Sequence, residues 1–332
     1  MSIWFSPTQA LSYNANLMYI IGARGCGKTY GCKKWAIKRF LKYHEQFIYL
    51  RRYEEEMKDL PDFFRALEKD KDFEKINFQV VGSKFYINNE LCGYAMILSK
   101  GQHRKSGEFT EVSNIIFDEF IIEKGYIHYL PDEVQRLLGL IDTVVRNRNN
   151  IRVFCLANSI QWTNPHFVFW KFAPMEEGIQ VKQDGTVLLQ AYKNSEFNSM
   201  RETTVMGRLA KGTAYGNMAL DNVFEDLTDD FIMKKPKNAR LQFNIFWKKN
   251  TYGIWMDEEN SKLIVSERHN KDSFTVCYTT SDFKPNLMLL NDRHSRINDM
   301  LKRAFKNSYL YYENVYIRDE MYDLMNMLGI RS

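Results

Sequence analysis

Eight consecutive residues carry the clearest chemistry in this chain: Gly22-Ala23-Arg24-Gly25-Cys26-Gly27-Lys28-Thr29. They fit G-x-x-x-x-G-K-[ST], the phosphate-binding loop of nucleoside triphosphatases. Glycines let the backbone wrap a phosphate chain with successive N–H groups pointing inward. A helix starting there adds a dipole that favours negative charge. Lys28 is expected to reach the β- and γ-phosphates, and Thr29 to hold Mg²⁺. ATP and Mg²⁺ are therefore the expected ligands. A glycine-rich turn fitting by chance would lack the setting found here. An apolar strand, Leu17 to Ile21, precedes the loop, and a helix from Thr29 to about Tyr43 follows it.

A second signature lies further on, Ser113-Asn114-Ile115-Ile116-Phe117-Asp118-Glu119. This is an apolar strand ending in two acids. Asp118 at the strand tip would anchor Mg²⁺ through water. Glu119 is placed to polarise the attacking water as general base. A Glu directly after the metal Asp suits motor and helicase ATPases that hydrolyse with water. Small-molecule kinases need no such base.

Other positions keep two readings each. Arg146 and Arg148 stand at the end of a helix read over 132–145. They could reach a neighbouring subunit's γ-phosphate as an arginine finger, or simply complement the helix dipole. Asn158 ends a buried strand over 151–158, as a γ-phosphate sensor or as a turn residue. Arg24, inside the loop, could touch a phosphate or a neighbouring subunit. Gln9 and Tyr13 could contact the adenine base or pack against the sheet.

The elements that must position these groups follow from periodicity. Gln46 to Leu50 is a buried strand of the parallel kind, ending in Arg51-Arg52. Glu54 to Lys69 has a helical period. Strands are expected at 78–81, 85–87 and 94–98, then a basic loop from Lys100 to Gly107. The helix over 132–145 carries a stripe of Val134, Leu137, Leu138, Ile141 and Val145. The pattern changes at about Glu176 and again at about Leu227. Strands over 241–247, 252–256, 262–265 and 274–279 then precede helices over 295–311 and 318–328. The expected organisation is an ATPase domain over 1–197, a lid or linker over 198–226 and a C-terminal domain over 227–332. The fold class is α/β, with a smaller α+β domain behind it.

Composition bounds the rest. The 332 residues carry a net charge of +5, which by itself decides little. From Arg24 to Arg52, however, nine Lys and Arg face one acid, Glu45. That concentration suits a polyanion, nucleotide or nucleic acid. Lys33, Lys34, Lys38, Arg39 and Lys42 read either as DNA contacts or as a solvated helix face. Five cysteines (26, 32, 92, 155 and 277) form no metal-binding spacing, and six histidines are scattered. This suits a reducing cytoplasm. Neither a signal peptide nor a membrane span is expected.

Together these motifs identify a family. The loop GARGCGKT, the stretch RF-x-KY-x-EQFIY-x-RRY from Arg39 to Tyr53, IIFDEF (115–120), DTV-x-RNR (142–148) and the C-x-x-N strand (155–158) resemble the genome-packaging ATPase of phi29-like phages. So do Gly207-Arg208-Leu209 and Leu220-Asp221-Asn222. The resemblance runs over most of the chain, strongest from 20 to 160 and thinner beyond 227. It implies a P-loop NTPase of the additional-strand, catalytic-glutamate type, with a C-terminal domain resembling a degenerate RNase H-like nuclease. It implies a pentameric ring on the portal of the prohead, bound through a structural packaging RNA. ATP hydrolysis there pulls double-stranded DNA inward. Such a protein would work in the host cytoplasm, transiently attached to the prohead and absent from the mature virion. By motif, Lys28, Thr29, Asp118 and Glu119 keep the roles above, and Arg146 becomes the trans-acting finger. Lys105 is a second candidate across the interface. Asn158 falls where hydrolysis is linked to movement.

A two-metal nuclease needs several converging carboxylates. The four C-terminal strands carry none, and Asp257 to Glu259 sit in a turn. Only Asp282, Asp292 and Asp299 remain, so nuclease activity is not expected. The favoured reading is a ring translocase with Lys124 as its pore-loop residue. The alternative is a helicase-like or DNA-remodelling ring ATPase. A non-hydrolysing nucleotide-binding subunit and a small-molecule kinase are further rivals.

Overall fold

The computed structural model describes residues 3–103, 109–122, 129–146, 148–159, 162–210, 231–290 and 295–328. Its contacts divide the chain into two compact units, Met1–Leu227 and Thr228–Ser332.

The first unit runs α1 (Thr8–Ser12), β1 (Leu17–Gly22), α2 (Lys28–Tyr43), β2 (Gln46–Arg51), β3 (Phe78–Val81), β4 (Lys84–Ile87), β5 (Glu90–Ile97), β6 (Val112–Asp118), α3 (Glu133–Val145), β7 (Arg152–Asn158), α4 (Pro165–Trp170), β8 (Gly178–Lys182), β9 (Val187–Tyr192), α5 (Ser195–Glu202) and α6 (Val205–Ala210). Among the described residues these strands form one nine-stranded sheet, ordered β3-β4-β5-β2-β6-β7-β1-β9-β8. The six strands from β5 to β9 in that order run parallel, while β3, β4 and β8 are antiparallel at the edges. Every residue of β1 and β6 is buried, as a strand covered on both faces requires. β7 lies between the strand that feeds the phosphate loop and the strand that ends in Asp118. That is the additional strand of this class of ATPase.

Gly22 ends β1 beside β9, where a Cβ would stand 2.7 Å from the Tyr192 carbonyl oxygen. Gly31, in the first turn of α2, is as tightly placed: a Cβ there would stand 2.6 Å from the Phe5 carbonyl oxygen. Phe5 in turn donates its N–H to the Cys26 carbonyl at 2.9 Å, so the N-terminal segment is fastened to the loop.

Two expectations are corrected in this unit. Residues 54–69 do not form an α-helix; short 3-10 turns occur at Glu54–Met57 and Leu60–Asp62, with irregular turns after them. Pro61 lacks the N–H that a continuous helix would need there. Phe63, Phe64 and Leu67 are buried all the same. The buried stripe of α3 is Glu133, Val134, Leu137, Leu140 and Val144, leaving Leu138, Ile141 and Val145 half-buried. The helix is rolled because Glu133 points inward to Arg52. β9 lies after the change of pattern at Glu176, within the expected ATPase domain, and pairs with β1 along its whole length.

The second unit contains β10 (Arg240–Trp247), β11 (Asn250–Asp257), β12 (Lys262–Ser266), β13 (Thr275–Cys277), β14 (Met288–Leu289), α7 (Arg296–Lys306), β15 (Leu310–Tyr312) and α8 (Val315–Met327). The described strands form a sheet ordered β14-β13-β10-β11-β12-β15. Phe243, Ile245, Ile254 and Val265 on one face of it pack with Leu301, Met321 and Leu324 from the helices. The helix expected over 295–311 stops at Lys306. Ser308 turns the chain at φ 60°, and Leu310 to Tyr312 pair with β12 instead. Asp257 accepts from Asn260, and Asp282 from Thr279. Asp292 lies outside the described residues. Among those described, no group of three His, Cys, Asp or Glu side chains is placed to hold a metal ion.

Candidate nucleotide-hydrolysis site

The loop between β1 and α2 turns on two glycines in left-handed backbone, Gly25 at φ 81° and Gly27 at φ 92°. Such conformations strain any residue with a Cβ. Gly27 is the N-cap of α2, so the helix dipole points into the loop. Lys28 is buried at the first helical position. Its Nζ donates to the Gly22 and Ala23 carbonyls, both at 2.9 Å, to Cys26 Sγ at 3.6 Å and to Asn158 Oδ1 at 3.3 Å. Burial lowers its pKa. An ammonium held this way, with its hydration stripped, is primed for a phosphate. Cys26 and Ala23 are buried with Phe197 of α5. Arg24 is exposed. Its carbonyl accepts a hydrogen bond from Arg201 Nη1, which fastens α5 to the loop.

The metal position can be tested against the residues. Thr29 Oγ1 donates to Asp118 Oδ1 at 2.9 Å, and Tyr49 donates to Asp118 Oδ2 at 3.0 Å. A hydroxyl and a carboxylate are the hard oxygen donors that Mg²⁺ selects. The residues present fit the ion.

Glu119 follows at φ 60°, left-handed for a residue with a full side chain. Arg51 Nη2 donates to its Oε2 at 2.6 Å, and Arg51 Nη1 lies 3.8 Å from Asp118 Oδ2. The Glu119 carboxylate is 61% exposed, so water reaches it.

The structure therefore brings together Lys28, Thr29, Asp118, Glu119 and Asn158. Arg146 is elsewhere, exposed beyond the end of α3 at φ 52°. Its side chain has no hydrogen bond or ion pair among the described residues. Arg148 is different: it donates to the carbonyls of Thr110, Phe109 and Val144 at 2.5, 3.0 and 2.5 Å. These bonds hold it within its own subunit. Lys105 and Lys124 lie outside the described residues.

Sequence reasoning missed Arg51, Arg52, Tyr49, Glu133 and Arg201. The Arg51-Arg52 pair at a strand end was the available signal. The basic run on α2 has partners inside the subunit. Lys34 pairs with Asp70 and Asp72, Lys38 with Asp72, and Arg39 with Glu45. Lys33 lies 3.9 Å over the Phe63 ring, and burial takes its pKa down to about 8. Gln9 accepts from Gln190 at 2.7 Å, which fits packing against the sheet. A cavity of about 850 Å³ opens beside the loop, with Trp4, Gly25, Gly27, Tyr30, Trp35 and Asp70 in its walls.

A family model described as podovirus DNA encapsidation protein (Gp16) matches residues 1–330. The chain belongs to this family. As an encapsidation-family chain it is similar to the DNA packaging protein of Bacillus phage phi29, 38% identical over 336 residues and 99% of each sequence. It is 36% identical to the DNA packaging protein of Bacillus phage B103, over 97% of this chain and all of that one. Its fold is similar to a chain of the bacteriophage phi29 viral genome packaging motor assembly. That match has a TM-score of 0.83 and 37% identity, covering 98% of this chain and all of the other. The N-terminal domain of the phi29 DNA packaging ATPase matches 59% of this encapsidation-family chain, at TM-score 0.55 and 41% identity.

Proposed function

We propose that this protein is an ATP-driven motor that moves double-stranded viral DNA into a prohead. One observation carries the reading. A chain that matches packaging proteins along nearly its full length brings Lys28, Thr29, Asp118 and Asn158 together at the ends of β1, β6 and β7.

Lys28 and the loop N–H groups bind the triphosphate. Thr29 and Asp118 would hold Mg²⁺, which supplies neutralising charge at the β- and γ-phosphates when bound. Glu119 orients the attacking water and takes its proton at a carboxylate oxygen. Asn158, bonded to Lys28, is the residue of β7 closest to the chemistry and the natural sensor of a lost γ-phosphate. Arg146 enters the site of the neighbouring subunit in a ring. Its exposure and its lack of partners among the described residues support that role, as the saturation of Arg148 by backbone carbonyls argues against a shared one.

The remaining parts of the proposal come from the family. They are a pentameric ring, a portal, a structural packaging RNA, and work in the host cytoplasm on a transiently attached prohead. Grip on DNA would be mostly electrostatic, because a motor must not prefer sequences. Lys124 is the proposed pore contact, and the second unit the proposed contact to DNA, RNA or portal.

The test is nuclease protection. Full-length protein, proheads with their RNA, genomic DNA and ATP with Mg²⁺ are mixed, and DNA surviving nuclease is measured. Protection that requires ATP hydrolysis is expected. Unprotected DNA, or strand separation without protection, would refute the packaging role.

A further inference from the structure

Beneath the strand end that carries Glu119 lies a buried cluster that the hydrolytic roles leave unused. Arg52 is 1% exposed. Its Nε donates to Glu133 Oε2 and its Nη2 to Glu133 Oε1, both at 2.8 Å. The same guanidinium donates to two carbonyls of the strand end. Nη1 reaches Glu119 O at 3.1 Å, and Nη2 reaches Phe120 O at 2.6 Å. Glu133 also accepts from the Leu130 N–H at 2.9 Å, and its Oε1 lies 3.0 Å from His166 Nε2. On the far side of the ring, His166 Nδ1 meets the Tyr19 hydroxyl at 3.1 Å. That hydroxyl accepts from Trp170 Nε1 at 3.0 Å.

The donors assign the tautomer. The ionised Glu133 carboxylate only accepts, so Nε2 of the neutral ring carries the proton that faces it, and Nδ1 accepts from the Tyr19 hydroxyl. Burial keeps the imidazole neutral. Burial also opposes charge on Glu133, but His166 and Arg52 outweigh it and hold the carboxyl down at about 2. Every polar atom at the centre is thereby matched, which makes the cluster rigid.

Two consequences follow from where its members sit. First, the left-handed backbone of Glu119 persists only if its surroundings over-determine it. The Arg52 bonds to the Glu119 and Phe120 carbonyls, with the Phe120 N–H bonded to Leu156 O at 3.1 Å, do this. Second, Glu133 is the first residue of α3, and Arg146 caps its other end. Thirteen helical residues span about 20 Å as one stiff rod.

We infer that Arg52, Glu133 and His166 are positioning residues that lock Glu119 and α3 into one rigid piece. The base of a subunit's own site and the arginine it offers a neighbour are then set together. This rests on the reading of Arg146 as acting in trans, and the experiment separates the two.

Full-length Arg146→Ala subunits keep an intact site but lack the arginine. Glu119→Gln subunits offer the arginine but cannot hydrolyse. Mixed, they should turn over ATP faster than either alone. Failure of this pair to complement would remove the trans reading, and the inference with it. The second mixture replaces the partner with the double variant Glu119→Gln/Glu133→Gln. Complementation should now fall about tenfold or more, because a displaced group loses its effect steeply. Complementation equal to the first mixture overturns the inference while leaving the trans reading intact.

Unpairing Arg52 can also compromise folding. Arg52→Lys in the Glu119→Gln background therefore provides a second variant. It keeps a cation for Glu133 but gives up the bonds to the two carbonyls. A folded Arg52→Lys variant that complements fully also overturns the inference. In the Glu119 background, Arg52→Lys should lower kcat and leave KM for ATP within about twofold, since the loop is untouched. Equal changes in both would indicate a general structural role.

Discussion

Glu119→Gln is expected to stop ATP turnover while leaving nucleotide binding intact. An amide is isosteric with the carboxylate but takes no proton from water. The loss should be about 10²- to 10⁴-fold in kcat, the range for a positioned general base. That corresponds to roughly 3–5 kcal/mol of barrier. Binding depends instead on Lys28, Thr29 and the loop amides, none of which contacts the Glu119 side chain among the described residues. Phosphate release and the affinity for a fluorescent ATP analogue measure the two quantities separately. Turnover close to that of the parent would mean the water is activated by another group.

The second large effect is expected at Arg146. Replacement by Ala removes a side chain with no partner among the described residues, so thermal stability should change by no more than about 0.5 kcal/mol. Turnover should nevertheless fall by about 10³-fold or more, as for other arginines that complete a neighbour's site. Titrating the variant into wild type at constant total protein should lower activity non-linearly, because each variant disables its neighbour's site and a ring whose sites fire in turn stalls at the disabled one. A linear fall would show that sites fire independently of one another. Arg148→Ala makes the contrast. It strips donors from four carbonyls and should be read out as lost stability.

Much of this site was legible because its parts are local. The loop is a consecutive motif, and its flanks have opposite periodicities: a buried strand before and a helix after. Asp118-Glu119 was legible for the same reason, two acids at the end of an apolar run. The left-handed backbone at Glu119 and Arg146 was not legible, since neither is a residue that announces such a conformation. β9 had no bounds in the sequence because Gln190 interrupts its apolar run; that side chain is buried and donates to Gln9 of α1. The segment 54–69 has helical spacing at Leu60, Phe63, Phe64 and Leu67, but Pro61 wins over periodicity.

The Arg52–Glu133–His166 cluster illustrates a different limit. Its members are widely separated in sequence, and each alone reads as a surface charge or a scattered histidine. Only the fold reveals that their charges and hydrogen-bonding needs cancel. The basic run on α2 shows the converse. Its composition was read correctly, but Asp70, Asp72 and Glu45, which answer it, lie in neighbouring loops.

The most direct measurement is steady-state ATP turnover by the full-length protein on RNA-bearing proheads, with and without double-stranded DNA. A motor whose cycle is coupled to its track should hydrolyse ATP several-fold faster when DNA is present, with the stimulation lost in Glu119→Gln. Turnover indifferent to double-stranded DNA would contradict the coupling of this site to DNA movement.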